Sequence, residues 1–490
     1  MGIRKVRAAA LAATVGVGAL VATTGVSGVA NAEPGTLQVA APVVEGPIPS
    51  TVTPPGQPRD YPFMATPIDL AARGYVEEEY FISSNDACSY TTPSLATGSV
   101  ITCGQSYKTR IMVRRPVSAE AFNGTVLLEW QNVTAQHDVD HYWLESNEHI
   151  MREGYAWVGV SAQRAGVQSP GPCVSTGPTA FAFCNSLRAW SPLRYGAGGA
   201  NLNVPAGDVL QFDIFAQAAQ AVRAPDPAGP APMGGLDAET VIALGTSQSG
   251  GRLATYYNSV EPLQAEPVID AFFIGESRAA VRSDRDVPVL RLLSEVDVAA
   301  AFSPPDTDTY RHWEVAGASH ADEGFTSKIQ EFVAAGVIQT VSPVCARSAP
   351  SRIPKRYVYH AAWDHMVRWV EDGVLPPIAP RITFVAGQIA RDPLPSGGPA
   401  GNALGGIRLS EHSVPTAYNG TGNSGGLFCG LFGVHEPFTA HELRTLYRNP
   451  GVYVSAVAQA NNDNRRAGFI VDADSEESTA RAAESGVGRR

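Results

Sequence analysis

Several functional classes are ruled out by what this sequence lacks. It has no C-x-x-C pair and no clustered Cys/His spacing, so it carries no recognisable zinc site and no metal site is expected. It has no long basic run, and its net charge of −11 argues against nucleic acid or an anionic membrane surface as a main partner. That acidity reads as solubility. Beyond the N-terminus no uncharged apolar run reaches the roughly 18 residues a spanning helix needs. No internal repeat is present either. What remains is a chain of 490 residues with 44% hydrophobic and 17% charged residues, long enough to bury a sizeable core.

The N-terminus reads "MGIRKVRAAALAATVGVGALVATTGVSGVANAEPG". A positive stretch (Arg4, Lys5, Arg7) precedes a small-residue apolar run, and Ala30-Asn31-Ala32 forms a small-x-small cleavage site. Residues 1–32 read as a secretory signal peptide removed near Ala32, which makes the mature protein secreted, extracellular or in the cell envelope. Arg4-Lys5 is not a twin arginine, so general secretion is the expected route. Six cysteines suit that compartment: Cys88, Cys103, Cys173, Cys184, Cys345 and Cys429. Two close pairs, Cys88 with Cys103 and Cys173 with Cys184, lie in stretches that read as loops, and Cys345 with Cys429 could tie a C-terminal lobe to the core. The full pairing stays open.

Residues 33–60 are rich in Pro, Val, Thr and Gly and read as an extended leader. From residue 61 to 490 the chain reads as one domain, with a glycine- and aromatic-rich lobe at about 380–435. Within it, short apolar runs alternate with helical patterns. "RIMVRRP", "GTVLLEW", "YAWVGVSA", "TVIALG", "VIDAFFIG", "VPVLRLLS" and "YRHWEVAG" read as strands. Asp208 is the expected cap of a helix whose apolar face is Val209, Phe212, Ala216 and Ala219. Strands alternating with helices predict an α/β architecture around a mostly parallel sheet.

The chemistry centres on "VIALGTSQSGG". A strand that ends in Gly-x-Ser-x-small and turns sharply into a helix presents a serine on a strained elbow. The neighbours must be small, the serine oxygen stands at the strand's end, and the next N–H lies at a helix N-terminus where it can stabilise an oxyanion. Gly245-Thr246-Ser247-Gln248-Ser249 fits, and favours Ser247 over the rival register centred on Ser249. Such a serine takes an acid and then a histidine from later strand ends. "VPVLRLLS" runs into "SEVDV", and "YRHWEVAG" runs into "ASHAD". Asp297 is therefore the expected acid, with Glu295 its alternative, and His320 the base. Gln248 supplies one expected oxyanion donor and Asn132, in the loop after "TVLLEW", the second. His137 and His141 sit beside Asp138 and Asp140 in that loop and read as polar loop residues. His360 and His365, on the amphipathic stretch "YVYHAAWDHMVRWV", read as structural.

The segments "GTSQSGGRLATYYNSVEP", "VPVLRLLSEVDV", "PDTDTYRHWEVAGASHAD" and "YVYHAAWDHMVRWVEDGVLPPIAPRI" resemble a large family of bacterial α/β-hydrolase domain-containing proteins with a G-x-S-Q-S elbow. The resemblance spans roughly residues 101–470. It implies the α/β-hydrolase fold, a mostly parallel central sheet flanked by helices, with the loop-rich C-terminal lobe added. It also implies Ser247 as nucleophile and His320 as base, while Glu295 and Asp297 both sit in the matching stretch. Together these readings predict a secreted serine hydrolase acting on a small-molecule ester through an acyl-enzyme, with no cofactor. The alternatives are a non-catalytic binding protein on the same scaffold, or a serine peptidase or amidase. The substrate pocket is expected to be walled by residues 164–207 and by the 380–435 lobe.

Overall fold

Six of the apolar runs become parallel strands because a run without polar breaks can be buried on both faces. A computed structural model describes residues 34–168, 186–338, 344–393, 401–426 and 428–489. The N-terminal segment read as a signal peptide and both Cys173 and Cys184 lie outside the described residues. The strands are β1 (Val43–Glu45), β2 (Tyr75–Tyr90), β3 (Val100–Pro116), β4 (Thr125–Trp130), β5 (Ala156–Val160), β6 (Thr240–Thr246), β7 (Ala271–Gly275), β8 (Val289–Ser294) and β9 (Tyr310–Val315). They form one sheet in the order β1-β2-β3-β5-β4-β6-β7-β8-β9. From β5 to β9 every pairing is parallel, and β1, β2 and β3 add an antiparallel flank. β1 lies in the stretch expected to be a leader and pairs with β2.

The main helices are α1 (His141–Arg152), α2 (Gln211–Arg223), α3 (Ser247–Thr255), α4 (Glu323–Ala334), α5 (Arg356–Asp372), α6 (Pro450–Ala467) and α7 (Asp472–Glu484). Two adjacent residues of β7 show how they form layers, since successive strand side chains point to opposite faces. Phe272 packs on Tyr256 and Tyr257, which continue α3, and Tyr256 in turn meets Phe215 of α2. Phe273 packs on Tyr142 of α1 and on Tyr359 and Trp363 of α5. The sheet is thus sandwiched between helices, and α5 packs against it as its pattern predicts.

The long β2–β3 hairpin is the main element not read from the sequence. Only its final segment, "RIMVRRP", has a strand-like pattern, because the hairpin buries charge. Arg110 lies 3.5 Å from Glu79 and 3.3 Å from Asp138. Arg114 lies 2.7 Å from both Glu77 and Asp140. Buried charges persist only when paired and hydrogen-bonded, and the acidic loop around His137 supplies two of the partners. Cys88 and Cys103 are disulfide-bonded across this hairpin, on paired strands and not in loops. A second disulfide joins Cys345 to Cys429. Asp208 does not cap α2. It sits at φ +51, and its carboxylate accepts from Arg164 N (2.7 Å) and Gln163 Nε2 (3.3 Å), so the helix begins only at Gln211. Val209 is accordingly exposed, while Phe212, Ala216 and Ala219 are buried.

Candidate active site

Four consecutive parallel strands, β6 to β9, each end at the same edge of the sheet. Immediately beyond them come Ser247, Glu276, Asp297 and His320 in turn.

Ser247 follows β6 directly and opens α3 with φ at +55. A left-handed backbone at a non-glycine residue costs of order 1–3 kcal/mol and persists only where its surroundings enforce it. Ser249 is one such restraint. Its hydroxyl accepts from Thr246 N (3.1 Å) and donates to Thr246 O (2.9 Å), so it braces the turn from inside and is fully buried. Asn132 adds another, its amide donating to the same Thr246 carbonyl at 2.9 Å. The small residues follow from the same crowding. A Cβ on Gly245 would stand 2.9 Å from Ser249 O, and one on Gly250 would stand 2.8 Å from Gly275 O. Ser247 itself is only half-buried. The hydroxyl at 249 is spent on the backbone.

Gln248 fixes the other side of the turn. Its amide donates to Gln163 Oε1 at 2.8 Å, and its oxygen faces Val133 N at 3.5 Å. The loop carrying Asn132 is thereby held beside the first turn of α3, whose free N–H groups favour negative charge. Gln163, just past β5, is a partner no sequence motif marks.

His320 Nδ1 lies 2.9 Å and 3.1 Å from the two oxygens of Asp297. Asp297 also accepts from Ser294 Oγ at 2.5 Å. Burial pushes the Asp297 carboxyl up, but the charge and hydrogen bond of His320 outweigh it and hold the group at about 2. Burial pushes the imidazole down, and Asp297 more than reverses this, so His320 stands above its ordinary value. Glu295 is elsewhere. Its carboxylate accepts from Gly317 N (2.6 Å) and pairs with Arg391 (2.6 Å), bracing the ends of β8 and β9 against the C-terminal region. Of the two carboxylates left open by the sequence, Asp297 alone is hydrogen-bonded to the histidine.

Behind this pair lies a buried ionic cluster that the sequence reading missed. Lys355 Nζ donates to His320 O (2.5 Å) and Glu276 Oε1 (3.2 Å), and lies 3.5 Å from Glu145. Atoms of Glu276, Asp297 and His320 lie within 4.8 Å of one another, and the Lys355 ammonium lies beside Glu276. The only cue to Glu276 in the sequence is a carboxylate directly after the strand-ending glycine of "AFFIGES". His141 Nε2 lies 3.0 Å from Glu145, His360 Nδ1 bonds Asp474, and His365 Nε2 bonds Gly468 O. Burial holds His137 down at about 4.

Gln163, which bonds Gln248, directly precedes the first expected wall, and residues 169–185 of that wall lie outside the described residues. From the lobe, Leu431 O accepts from Ala321 N, next to His320 (3.2 Å), on a short helix, Cys429–Phe432, that begins at a disulfide-bonded cysteine. Among the described residues no helix is long and apolar enough to cross a membrane.

A family described as "Alpha/beta hydrolase domain" matches residues 44–480. No curated protein matches the chain. Among solved structures it is similar to esterase Est22 with p-nitrophenol, at 12% identity, covering 54% of this chain and 70% of that one with a TM-score of 0.26. It is similar to a glucuronoyl esterase from Solibacter usitatus at 10% identity, covering 54% and 82%, TM-score 0.24. A serine hydrolase without a lid from Xanthomonas campestris matches at 13% identity, covering 51% and 92%, TM-score 0.24.

Proposed function

The chain belongs to the alpha/beta hydrolase domain family, and on that premise we propose that it is an exported serine hydrolase of small carboxylic esters. One observation carries the reading. Ser247, held at φ +55 at the end of β6, shares a sheet edge with a histidine whose Nδ1 is committed to Asp297.

The chemistry follows from that arrangement. With Nδ1 donating to Asp297, the Nε2 lone pair of neutral His320 is available as a base. Ser247 Oγ attacks the ester carbonyl carbon while Nε2 takes its proton. The carbonyl π electrons move onto oxygen, and the resulting oxyanion is met by the N–H of Gln248 and a second donor from the Asn132 loop. Collapse of this intermediate re-forms the carbonyl and expels the alkoxide. The imidazolium protonates that group as it leaves as the alcohol. Water then attacks the Ser247 acyl ester by the same steps, giving the acid and free enzyme. Asp297 stays ionised throughout and stabilises the imidazolium.

A fluorophosphonate probe and a series of p-nitrophenyl esters of rising acyl length test the reading. Labelling confined to the peptide holding Ser247, with ester turnover lost in S247A, is the expected result. Folded protein that neither labels nor turns over esters would favour a binding role, and turnover of amides above esters would favour a peptidase or amidase.

A further inference from the structure

Arg291, in the middle of β8, is fully buried and meets no carboxylate. The two other arginines buried as fully, Arg110 and Arg114, each meet two. Among the described residues no Asp or Glu forms an ion pair with Arg291. Its Nη2 donates to Ala279 O at 2.5 Å, while Nε and Nη1 are buried without a hydrogen-bond partner in the chain. The rings of Phe302 and Tyr310 lie 5.0 Å and 5.9 Å from its Cζ. Stacking on rings compensates a buried charge only in part, because it leaves the N–H groups unsatisfied.

The neighbours of Arg291 add donors of the same kind. Arg291 is paired with His312 of β9, and Tyr310, two residues earlier, shares that face of the sheet. It is the face turned away from α5, which meets Arg311 and Trp313 on the other side. Tyr310 Oη and Arg381 Nη1 are also buried without a partner in the chain, and both guanidiniums act on the Tyr310 hydroxyl. Burial pushes that hydroxyl up to about 12, so it keeps its proton as a donor. Arg381 already has its counter-charge, since Nη2 donates to Asp306 at 2.8 Å. His312 is held neutral by burial and by the two guanidiniums, and its Nε2 faces Glu314 at 3.3 Å. Glu314 in turn accepts from Ile382 N at 2.7 Å. One positive charge, that of Arg291, is left over.

We propose that Arg291, Tyr310 and Arg381 form a buried site for one small monovalent anion of the halide class. Charge sets the valence: Asp306 matches Arg381, and the unmatched unit on Arg291 calls for a single negative charge. Enclosure sets the size. Arg291 and His312 are fully buried and the Phe302 ring lies over the guanidinium, so the ion must exchange its water for protein donors. Arg291 Nε and Nη1, Arg381 Nη1 and Tyr310 Oη are those donors. A halide accepts several hydrogen bonds with little demand on their direction, which suits donors drawn from two strands and a distant loop. Phe302 lies five residues after Asp297, so the ion ties the segment leaving Asp297 to β8 and β9. This site is separate from the proposed ester chemistry and does not depend on it.

Thermal unfolding of the whole chain tests the site, with sodium chloride or bromide exchanged for sodium gluconate at one ionic strength. Gluconate is too large for an enclosed site. Tm is expected to rise with either halide, by roughly 3 °C for a hundredfold increase, because one ion is released on unfolding. R291M, which places an uncharged chain of similar length in β8, is expected to fold and to lose this dependence. Y310F keeps the ring and removes one donor, and should need about tenfold more halide for the same rise. Crystals soaked in bromide should show anomalous scattering in contact with Arg291 and Tyr310 Oη. A wild-type Tm indifferent to the exchange of halide for gluconate would overturn the site. So would an unchanged halide dependence in R291M and Y310F, or bromide found only elsewhere on the molecule. If R291M does not fold, Y310F and the bromide position decide. None of these measurements reads ester turnover, so failure here leaves the reading of Ser247 standing.

Discussion

His320 Nδ1 lies 2.9 Å from Asp297 Oδ1, while Glu295, two residues before that aspartate, has its carboxylate 2.6 Å from Arg391. One short turn thus sends two acids to opposite uses, and the two should fail differently. Asp297→Asn is expected to cut kcat by roughly a thousandfold or more, because the amide no longer holds the productive tautomer. Glu295→Gln is expected to cost about 3 kcal/mol of stability by removing the buried charge that pairs with Arg391. Its activity per folded molecule should be near wild type. Urea unfolding beside ester kinetics separates the two, and a fully active Asp297→Asn would remove that residue from the triad.

The serines of the elbow should differ in the same way. Ser247→Ala is expected to lower turnover by several orders of magnitude with the fold intact. Ser249→Ala deprives Thr246 N of its partner and should cost about 1–2 kcal/mol. Because Ser249 braces the strained turn, its loss should also lower kcat about tenfold, without abolishing it. Covalent labelling by a fluorophosphonate reads this out: it persists in Ser249→Ala and vanishes in Ser247→Ala.

Activity should rise with pH through a limb above 6.5. The base must be neutral, and His320 is held above its ordinary value by Asp297, against the opposing effect of burial. A kcat/KM profile with its acid limb below pH 6 would contradict this placement.

Stability should carry two opposite signs. Asp297 is held down at about 2, so its contribution is complete above the ordinary carboxylate range and is lost as pH falls toward 2. Glu276 is raised by burial to about 7, so its protonated form is the one favoured by folding. That contribution is complete below about 4.5 and is lost as pH rises to 7. His320, also raised, adds stability that is present below 6.5 and declines as pH rises through its folded value. Thermal unfolding across this range should therefore show a loss between pH 4.5 and 7 that E276Q flattens.

The Cys345–Cys429 bond should matter to activity as well as to stability. It closes a loop with a sequence separation of 84 residues and anchors the short helix whose Leu431 carbonyl receives Ala321 N. Cys345→Ser with Cys429→Ser is expected to cost about 4.5 kcal/mol on the chain-entropy account. It should also reduce kcat at elevated temperature, since the loop holding His320 loses a support. Paired melting and activity curves check this, and unchanged thermal inactivation would show that the lobe does not brace that loop.

What the sequence alone determined is local. The parallel strands were legible because burial on both faces leaves an unbroken apolar run, and the elbow was legible because crowding at Gly245, Ser249 and Gly250 admits only small residues. Acid and histidine could be placed to within a few residues because each follows directly from a strand end. Tertiary structure decided everything that depends on a distant partner. Nothing between Ser294 and Asp297 says which carboxylate meets His320, because Arg391 and Gly317 claim Glu295 from elsewhere in the chain. The hairpin of β2 and β3 was hidden because Arg110 and Arg114 look like surface residues until Glu77, Glu79, Asp138 and Asp140 close around them. Glu276 and Lys355 gave no motif at all. A buried charge is stable only through neighbours that satisfy it, and those neighbours are adjacent in space and not in sequence.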